Sequence, residues 1–214
     1  MRLRNIPGAR EIIESADVVI KPENMEVSVN KIFNNDNPLF IEIGMGKGDF
    51  IIELAKNNRD INYIGIEMYS SVLIRAIEKY NIENKNYKID NLKFLRFDAN
   101  NLLDIFDDGT VDKIYLNFSD PWPKDRHAKR RLTSDRFLKI YDRILKKDAV
   151  IEQKTDNIDL FNFTLKTIEE EGWKIDKYSY DYHSEDYAKD NIMTEYEKKF
   201  SSNGVRICFV RFHR

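Results

Sequence analysis

The spacing of apolar positions changes in a regular rhythm along the chain. From Pro38 onward, short runs of β-branched and aromatic residues recur: PLFIEI (38–43), NYIGIE (62–67), LKFLRF (92–97), VDKIYLNF (111–118) and AVIEQKT (149–155). Runs of this length and composition predict buried strands. Between them, apolar residues return every three or four positions, as one face of a helix requires. Phe50, Ile51, Leu54 and Ala55 make the first such face. Val72, Leu73, Ala76, Ile77 and Tyr80 make the second, in a helix starting near Ser70 or Ser71. Phe137, Leu138, Tyr141, Ile144 and Leu145 follow, and then Leu160, Phe161, Phe163, Thr164 and Ile168, with Gly172 closing the last helix.

Alternating strands and helices predict an α/β protein with a doubly wound, mostly parallel sheet. The ending departs from the rhythm. WKIDKYSYDYH (173–183) and GVRICFVRFHR (204–214) both read as strands, with no long periodic helix between them. Two such strands are most simply an antiparallel pair at the sheet edge. Ahead of Asn37 the pattern is weaker. Ile12, Ile13 and Ala16 share a helical face behind Pro7 and Gly8, and Met25, Val27 and Val29 alternate. Residues 1–36 are therefore read as an N-terminal extension and residues 37–214 as one domain.

Composition changes this picture little. Of 214 residues, 42% are hydrophobic and 34% charged, which excludes a disordered chain. No apolar run approaches the roughly 18 residues of a membrane span, and MRLRNIPGAREII lacks the apolar core of a secretory signal. A cytoplasmic protein is expected. The single cysteine, Cys208, lies between Ile207 and Phe209 and reads as a buried strand thiol. His127, His183 and His213 fall on different elements without ligand spacing, so no metal is expected. The net charge is only −2, but cations gather at Arg2, Arg4 and Arg10 and again at Lys124, Arg126, Lys129, Arg130 and Arg131.

Chemistry concentrates at the carboxyl ends of the expected strands. The first runs into Glu42-Ile43-Gly44-Met45-Gly46-Lys47-Gly48. Glycines at alternate positions let the backbone turn sharply and approach a ligand with no Cβ in the way. In a doubly wound sheet this is the nucleotide-binding edge. A dinucleotide fingerprint would space its third glycine one residue later, and here Asp49 follows at once. A carboxylate there suits a ligand with a cationic centre and an amino acid tail better than a pyrophosphate. Glu67 ends the second strand, where an acid accepts hydrogen bonds from ribose hydroxyls. Asp98, with Ala99 and Asn100, ends the third, where an acid and an amide can meet an adenine amino group. This arrangement resembles the Rossmann-like, class I methyltransferases that use S-adenosylmethionine, which also finish on an antiparallel strand.

The fourth strand runs into Asn117-Phe-Ser-Asp120-Pro121-Trp122-Pro123-Lys124 and then a basic tract. The prolines stiffen the loop. DPWPK followed by RH-x-KRRL closely resembles the bacterial tRNA (guanine-N7-)-methyltransferase family, as do EIGMGKG, GIE, KTDN (154–157) and TEYE (194–197) in their order along the chain. Asp125 and Ala128 depart from the family pattern within the tract. The resemblance implies S-adenosylmethionine as cofactor and tRNA as partner, with no membrane partner, and leaves monomer and homodimer both open. It implies cofactor binding by Glu42, Gly44, Gly46, Glu67, Asp98, Ala99, Asn100 and Asp120, with Asp120 also catalytic. It implies substrate contacts from Lys124, Asp156, Thr194, Glu195, Tyr196 and Glu197, and RNA contacts from Arg126, His127, Lys129, Arg130 and Arg131. The acidic stretch 181–190 is a candidate lid ahead of TEYE. Rival readings are an amine methyltransferase on another nucleic acid, a non-catalytic RNA-binding module of the same fold, and a dehydrogenase. The first would show two adjacent prolines at the fourth-strand loop, the second would not need acids at three strand ends, and the third would need the dinucleotide glycine spacing.

Overall fold

The structure is a computed structural model that describes residues 6–21 and 32–214. Arg2, Arg4 and the alternating Met25, Val27 and Val29 lie outside the described residues. The chain groups into two compact units, Met1–Phe106 and Asp107–Arg214.

The first unit opens with α1 (Ala9–Ser15). Of the face expected there, Ile13 is buried and Ile12 is exposed. Val18, Val19 and Ile20 then run buried beside the third strand, with Phe94 N donating to Val18 O at 2.8 Å and Ile20 N to Phe94 O at 2.8 Å. Three parallel strands follow in the order β3-β2-β1: β1 (Leu39–Ile43), β2 (Asn62–Ile66) and β3 (Leu92–Leu95). Every residue of β2 is buried, as expected of a strand covered on both faces. Helix α2 (Asp49–Asn57) buries Phe50, Ile51, Ile52, Leu54 and Ala55. Helix α3 (Ser70–Tyr87) buries Leu73, Ile74, Ala76 and Ile77. Each buried Leu, Ile or Phe side chain contributes about 1.5–3 kcal/mol on leaving water.

The second unit has four strands in the order β4-β5-β7-β6: β4 (Val111–Asn117), β5 (Leu145–Thr155), β6 (Lys174–Ser179) and β7 (Cys208–His213). β4 and β5 are parallel, while β7 runs antiparallel to both β5 and β6. The expected antiparallel pair is therefore present, with β6 at the edge. Helix α4 (Asp135–Ile144) buries Phe137, Leu138, Ile140, Tyr141 and Ile144. Helix α5 (Ile158–Glu170) is capped by the Asn157 side chain, whose Oδ1 accepts from Leu160 N at 2.8 Å, and ends before Gly172 at φ 72°. Strand β5 begins four residues earlier than the apolar run suggested, because Leu145–Asp148 continue extended straight from α4. The connection between β6 and β7 is not featureless: it carries two short 3-10 turns and α6 (Glu195–Ser201).

Candidate active site

In the first unit, the turn after β1 is built by backbone. Gly44 N and Met45 N both donate to Ile66 O, at 2.9 and 3.1 Å, which ties the loop to the end of β2. Gly44, Gly46 and Gly48 have φ of 75°, 58° and 79°, the left-handed region that glycine enters without steric cost. A Cβ at Gly44 or Gly46 would meet nothing within 4 Å, so both face open space, whereas one at Gly48 would press on Ala76 and Ile52. Gly65 on β2 has a different role, since a Cβ there would collide with Met45 Sδ.

Glu67 follows β2 and is 7% exposed. Its Oε2 accepts from Gly46 N at 3.2 Å and its Oε1 from Tyr69 N at 2.9 Å, so the same carboxylate braces the loop and starts α3. Asp98 Oδ1 accepts from Asn100 N at 2.9 Å and Asn100 Nδ2 at 2.7 Å, capping the turn Ala99–Asp104. The ends of β2 and β3 are joined through Phe97 N to Glu67 O at 3.3 Å. Gly44, Gly46, Glu67, Asp98, Ala99 and Asn100 thus share one edge of this unit. Glu42 lies deeper, 2% exposed within β1. Asp49, read as a partner for a cationic ligand, is instead engaged by Lys79 Nζ at 2.6 Å.

In the second unit, the loop after β4 departs from ordinary backbone twice. Phe118 has φ 51° and Trp122 φ 43°, conformations that cost bulky residues energy and that cluster at functional sites. Phe118 N donates to Lys154 O at 2.8 Å, which places the β4 loop beside the β5 loop bearing Asp156. Asp120 is exposed and Asp156 half-buried. The Trp122 ring meets His127 edge-on at 5.7 Å and carries the Arg130 guanidinium 4.8 Å from its centre. Lys124, Arg126, Lys129 and Arg130 are exposed around the 3-10 turn Asp125–Arg130.

Two expected contacts need correction. Arg131 was read with the RNA-facing cations, yet it is 8% exposed. Its Nε and one terminal nitrogen donate to Pro121 O at 3.0 Å and Trp122 O at 3.1 Å, and its guanidinium lies 4.3 Å from the Phe163 ring centre. It holds the DPWP loop through these bonds, which commits two of its nitrogens to the protein. Glu197 was read as a substrate ligand, yet it is fully buried. Its Oε2 accepts from Lys154 Nζ at 2.7 Å, and its Oε1 lies 2.8 Å from His183 Nε2 and accepts from Asn191 Nδ2 at 2.6 Å. With Thr194 it closes a capping box on α6, so the Thr194 hydroxyl is likewise committed, accepting from Glu197 N at 2.9 Å. Burial works to raise the Glu197 carboxyl, but the Lys154 charge and hydrogen bonds from Lys154, His183 and Asn191 outweigh it and hold the carboxyl below its ordinary value. Glu195 and Tyr196 do face solvent, and Tyr196 Oη reaches toward Asp156 at 3.5 Å.

Lys154, Asn191 and His183, which meet at Glu197, are not among the residues expected at the site. A signal was present, because a lysine near the end of a strand, between apolar-run positions that read as buried, demands a partner. The stretch read as a lid is anchored by Tyr182 N to Ile207 O at 2.7 Å and by Ser179 Oγ to Glu185 at 2.7 Å.

Glycines opening onto free space, a carboxylate at the end of β2 and an acid–amide pair after β3 fit S-adenosylmethionine: room for the methionine tail, an acceptor for ribose hydroxyls and polar groups for adenine. With parallel strands that end on an antiparallel pair, these features define a Rossmann-like, class I methyltransferase. Solved structures agree on the fold: an antibiotic-related methyltransferase superposes with a TM-score of 0.66 at 21% identity, covering 92% of this chain and 96% of its own. A SAM-dependent methyltransferase from Aquifex aeolicus gives 0.55 at 16% identity, covering 95% and 97%. The family model described as "Putative methyltransferase" matches residues 36–210. A tRNA (guanine-N(7)-)-methyltransferase from Lachnoclostridium phytofermentans is 57% identical over 205 residues, covering 95% of this chain and 94% of its own length. One from Bacillus subtilis is 47% identical over 209 residues, covering 97% and 96%. The chain belongs to the tRNA (guanine-N7-)-methyltransferase family.

Proposed function

We propose that this protein transfers a methyl group from S-adenosylmethionine to N7 of a guanine in the variable loop of tRNA. Family membership across nearly the whole chain carries this reading, and the edge of glycines, Glu67 and Asp98 supports the cofactor.

S-adenosylmethionine supplies a methyl carbon on a positively charged sulfur. Guanine N7 has a free lone pair at neutral pH. Held in line with bound S-adenosylmethionine, N7 would take the methyl as the carbon–sulfur bond gave its electrons to sulfur, leaving the purine cationic. No proton has to leave first, so the protein needs no strong base. It needs alignment, which can supply several kcal/mol, and oriented charge. Asp120 is the orienting group. It accepts hydrogen bonds from the N1 and N2 donors of guanine, which selects that base, and its charge stabilises the cation that forms. Pro121, Pro123 and buried Arg131 hold it still. Asp156 approaches the base from the loop after β5, and Tyr196, whose Oη reaches toward Asp156, from α6.

N7 lies on the major-groove edge, which A-form RNA buries beyond the reach of side chains. The target guanine must therefore be in a loop or an opened tertiary pair. Arg126, Lys129 and Arg130 contact phosphates, which adds affinity without sequence information.

Incubating total tRNA with labelled S-adenosylmethionine and mapping the modified base tests the proposal. Label on 7-methylguanine is expected. Label on adenine or cytosine overturns the base, and no label favours a binding module.

A further inference from the structure

Lys154 stands between two segments that the reaction requires to be in register. Its backbone oxygen accepts from Phe118 N at 2.8 Å, at the first residue of the loop that carries Asp120. Its ammonium, 5% exposed, donates to Glu197 Oε2 at 2.7 Å, Asn191 Oδ1 at 3.0 Å and Ile192 O at 3.1 Å. Glu197 in turn gathers His183, Asn191 and the Thr194 backbone, the last at 3.3 Å. Side chains close the other side of the ring. Tyr196 packs on Phe118 with ring centres 5.0 Å apart and stacks on Phe200 at 4.1 Å. Phe118 and Phe200 both pack against the cluster of Tyr182, Ile207 and Phe209.

We propose that the buried Lys154–Glu197 pair is a positioning device: it sets the segment Asn191–Tyr196 in register with the Asp120 loop, so that Tyr196 and Asp156 meet the same guanine as Asp120. Neither Lys154 nor Glu197 touches the base, and both act through the residues they hold. This rests on the function proposed above. A buried pair of this kind is weak as a source of stability, since replacing both partners with neutral groups is often tolerated, while removing one leaves an uncompensated charge. Its value lies in geometry, because the ammonium binds three groups of one segment while its own strand fixes the other.

That distinction supplies the test. Lys154→Met, Glu197→Gln and the double variant are compared with wild type for melting temperature, S-adenosylmethionine affinity, and KM and kcat on tRNA. Lys154→Met alone is expected to melt lower. The double variant should recover most of that loss and keep wild-type cofactor affinity, yet kcat should stay reduced on the order of 10²-fold, the scale of a small misplacement of reacting groups. A double variant with wild-type kcat overturns the proposal and leaves the pair a structural contact only. Asn191→Ala keeps the ion pair and loosens the segment; it should lower kcat with little change in melting, and an unchanged kcat in that variant also counts against the idea. Wild type assayed in parallel separates the two claims: no transfer to tRNA by wild type defeats the proposed function, whereas an active wild type with an equally active double variant defeats positioning alone.

Discussion

The two units shape the loops at their strand ends by different means. In the first, the loop after β1 is shaped by residues that lack side chains, and its hydrogen bonds run to the neighbouring strand end: Gly44 N and Met45 N to Ile66 O, Gly46 N to Glu67. In the second, the loop after β4 is held by the side chain of nearby Arg131 and by the backbone oxygen of Lys154, whose own side chain reaches far along the chain. Arg131 grips Pro121 O and Trp122 O, and Lys154 reaches Glu197 across 43 positions. A backbone-built site presents the same groups in whatever sequence surrounds it, which suits a cofactor that does not change. A site assembled from side chains can be tuned for its acceptor, and it depends on every member of the assembly.

Substitutions in the two units should therefore fail differently. The largest effect is expected from Asp120→Asn, which keeps the shape of the loop and removes its charge. Turnover should fall on the order of 10²–10³-fold, while cofactor affinity measured by calorimetry stays near wild type; near-normal turnover would sink the orienting role. Gly46→Ala should do the reverse. Its Cβ meets no protein atom and would fill the open space in front of the loop, which should weaken cofactor binding, while a φ of 58° costs the fold itself about 1–2 kcal/mol. Turnover at saturating cofactor should be nearly kept, and loss of turnover without loss of affinity would erase the contrast between the units.

Smaller effects sharpen the second unit. Replacing exposed Lys129 or Arg130 with glutamate should raise the tRNA dissociation constant and lower its salt dependence by about one phosphate contact per cation, read from binding across a salt series. Replacing buried Arg131 should instead lower the melting temperature. The smallest effect concerns acid. The Glu197 carboxyl is held below its ordinary value in the fold, so the unfolded chain takes up the proton first. Its contribution is complete above a pH of about 4.3 and is lost as pH falls through the lower, folded value. The melting difference between wild type and Glu197→Gln should thus be constant near neutrality and shrink only in acid.

Legibility in the sequence follows the same divide. Glycine spacing and strand-end acids are local signals, and the edge formed by Gly44, Gly46, Glu67 and Asp98 could be read from them because neighbouring parallel strands end side by side, with the Glu67 carboxylate reaching only as far as Gly46 N. The parallel strands of each unit were likewise visible, since each is marked by a short apolar run, and the antiparallel ending showed as two strand-like runs with no long periodic helix between them. Arg131 and Glu197 could not be sorted the same way. A cation in a basic tract and an acid in TEYE look solvent-facing in one dimension, and only the Phe163 ring beneath one and Lys154 beside the other reveal that both point inward. Helix α6 escaped notice for a related reason: at seven residues it is too short for its period to show, and it exists through its capping box and its buried acid.

Cys208 sits 4% exposed on β7, and burial pushes its thiol up to about 11. At neutral pH almost none of it is thiolate, the form that reacts with alkylating reagents and disulfides. Because it is the one cysteine in the chain, the protein is close to blank for maleimide chemistry as it stands. A cysteine introduced at exposed Arg126 would then take a fluorophore or a photo-crosslinker at a single point, and the approach of tRNA to the basic tract could be followed without first removing any native residue.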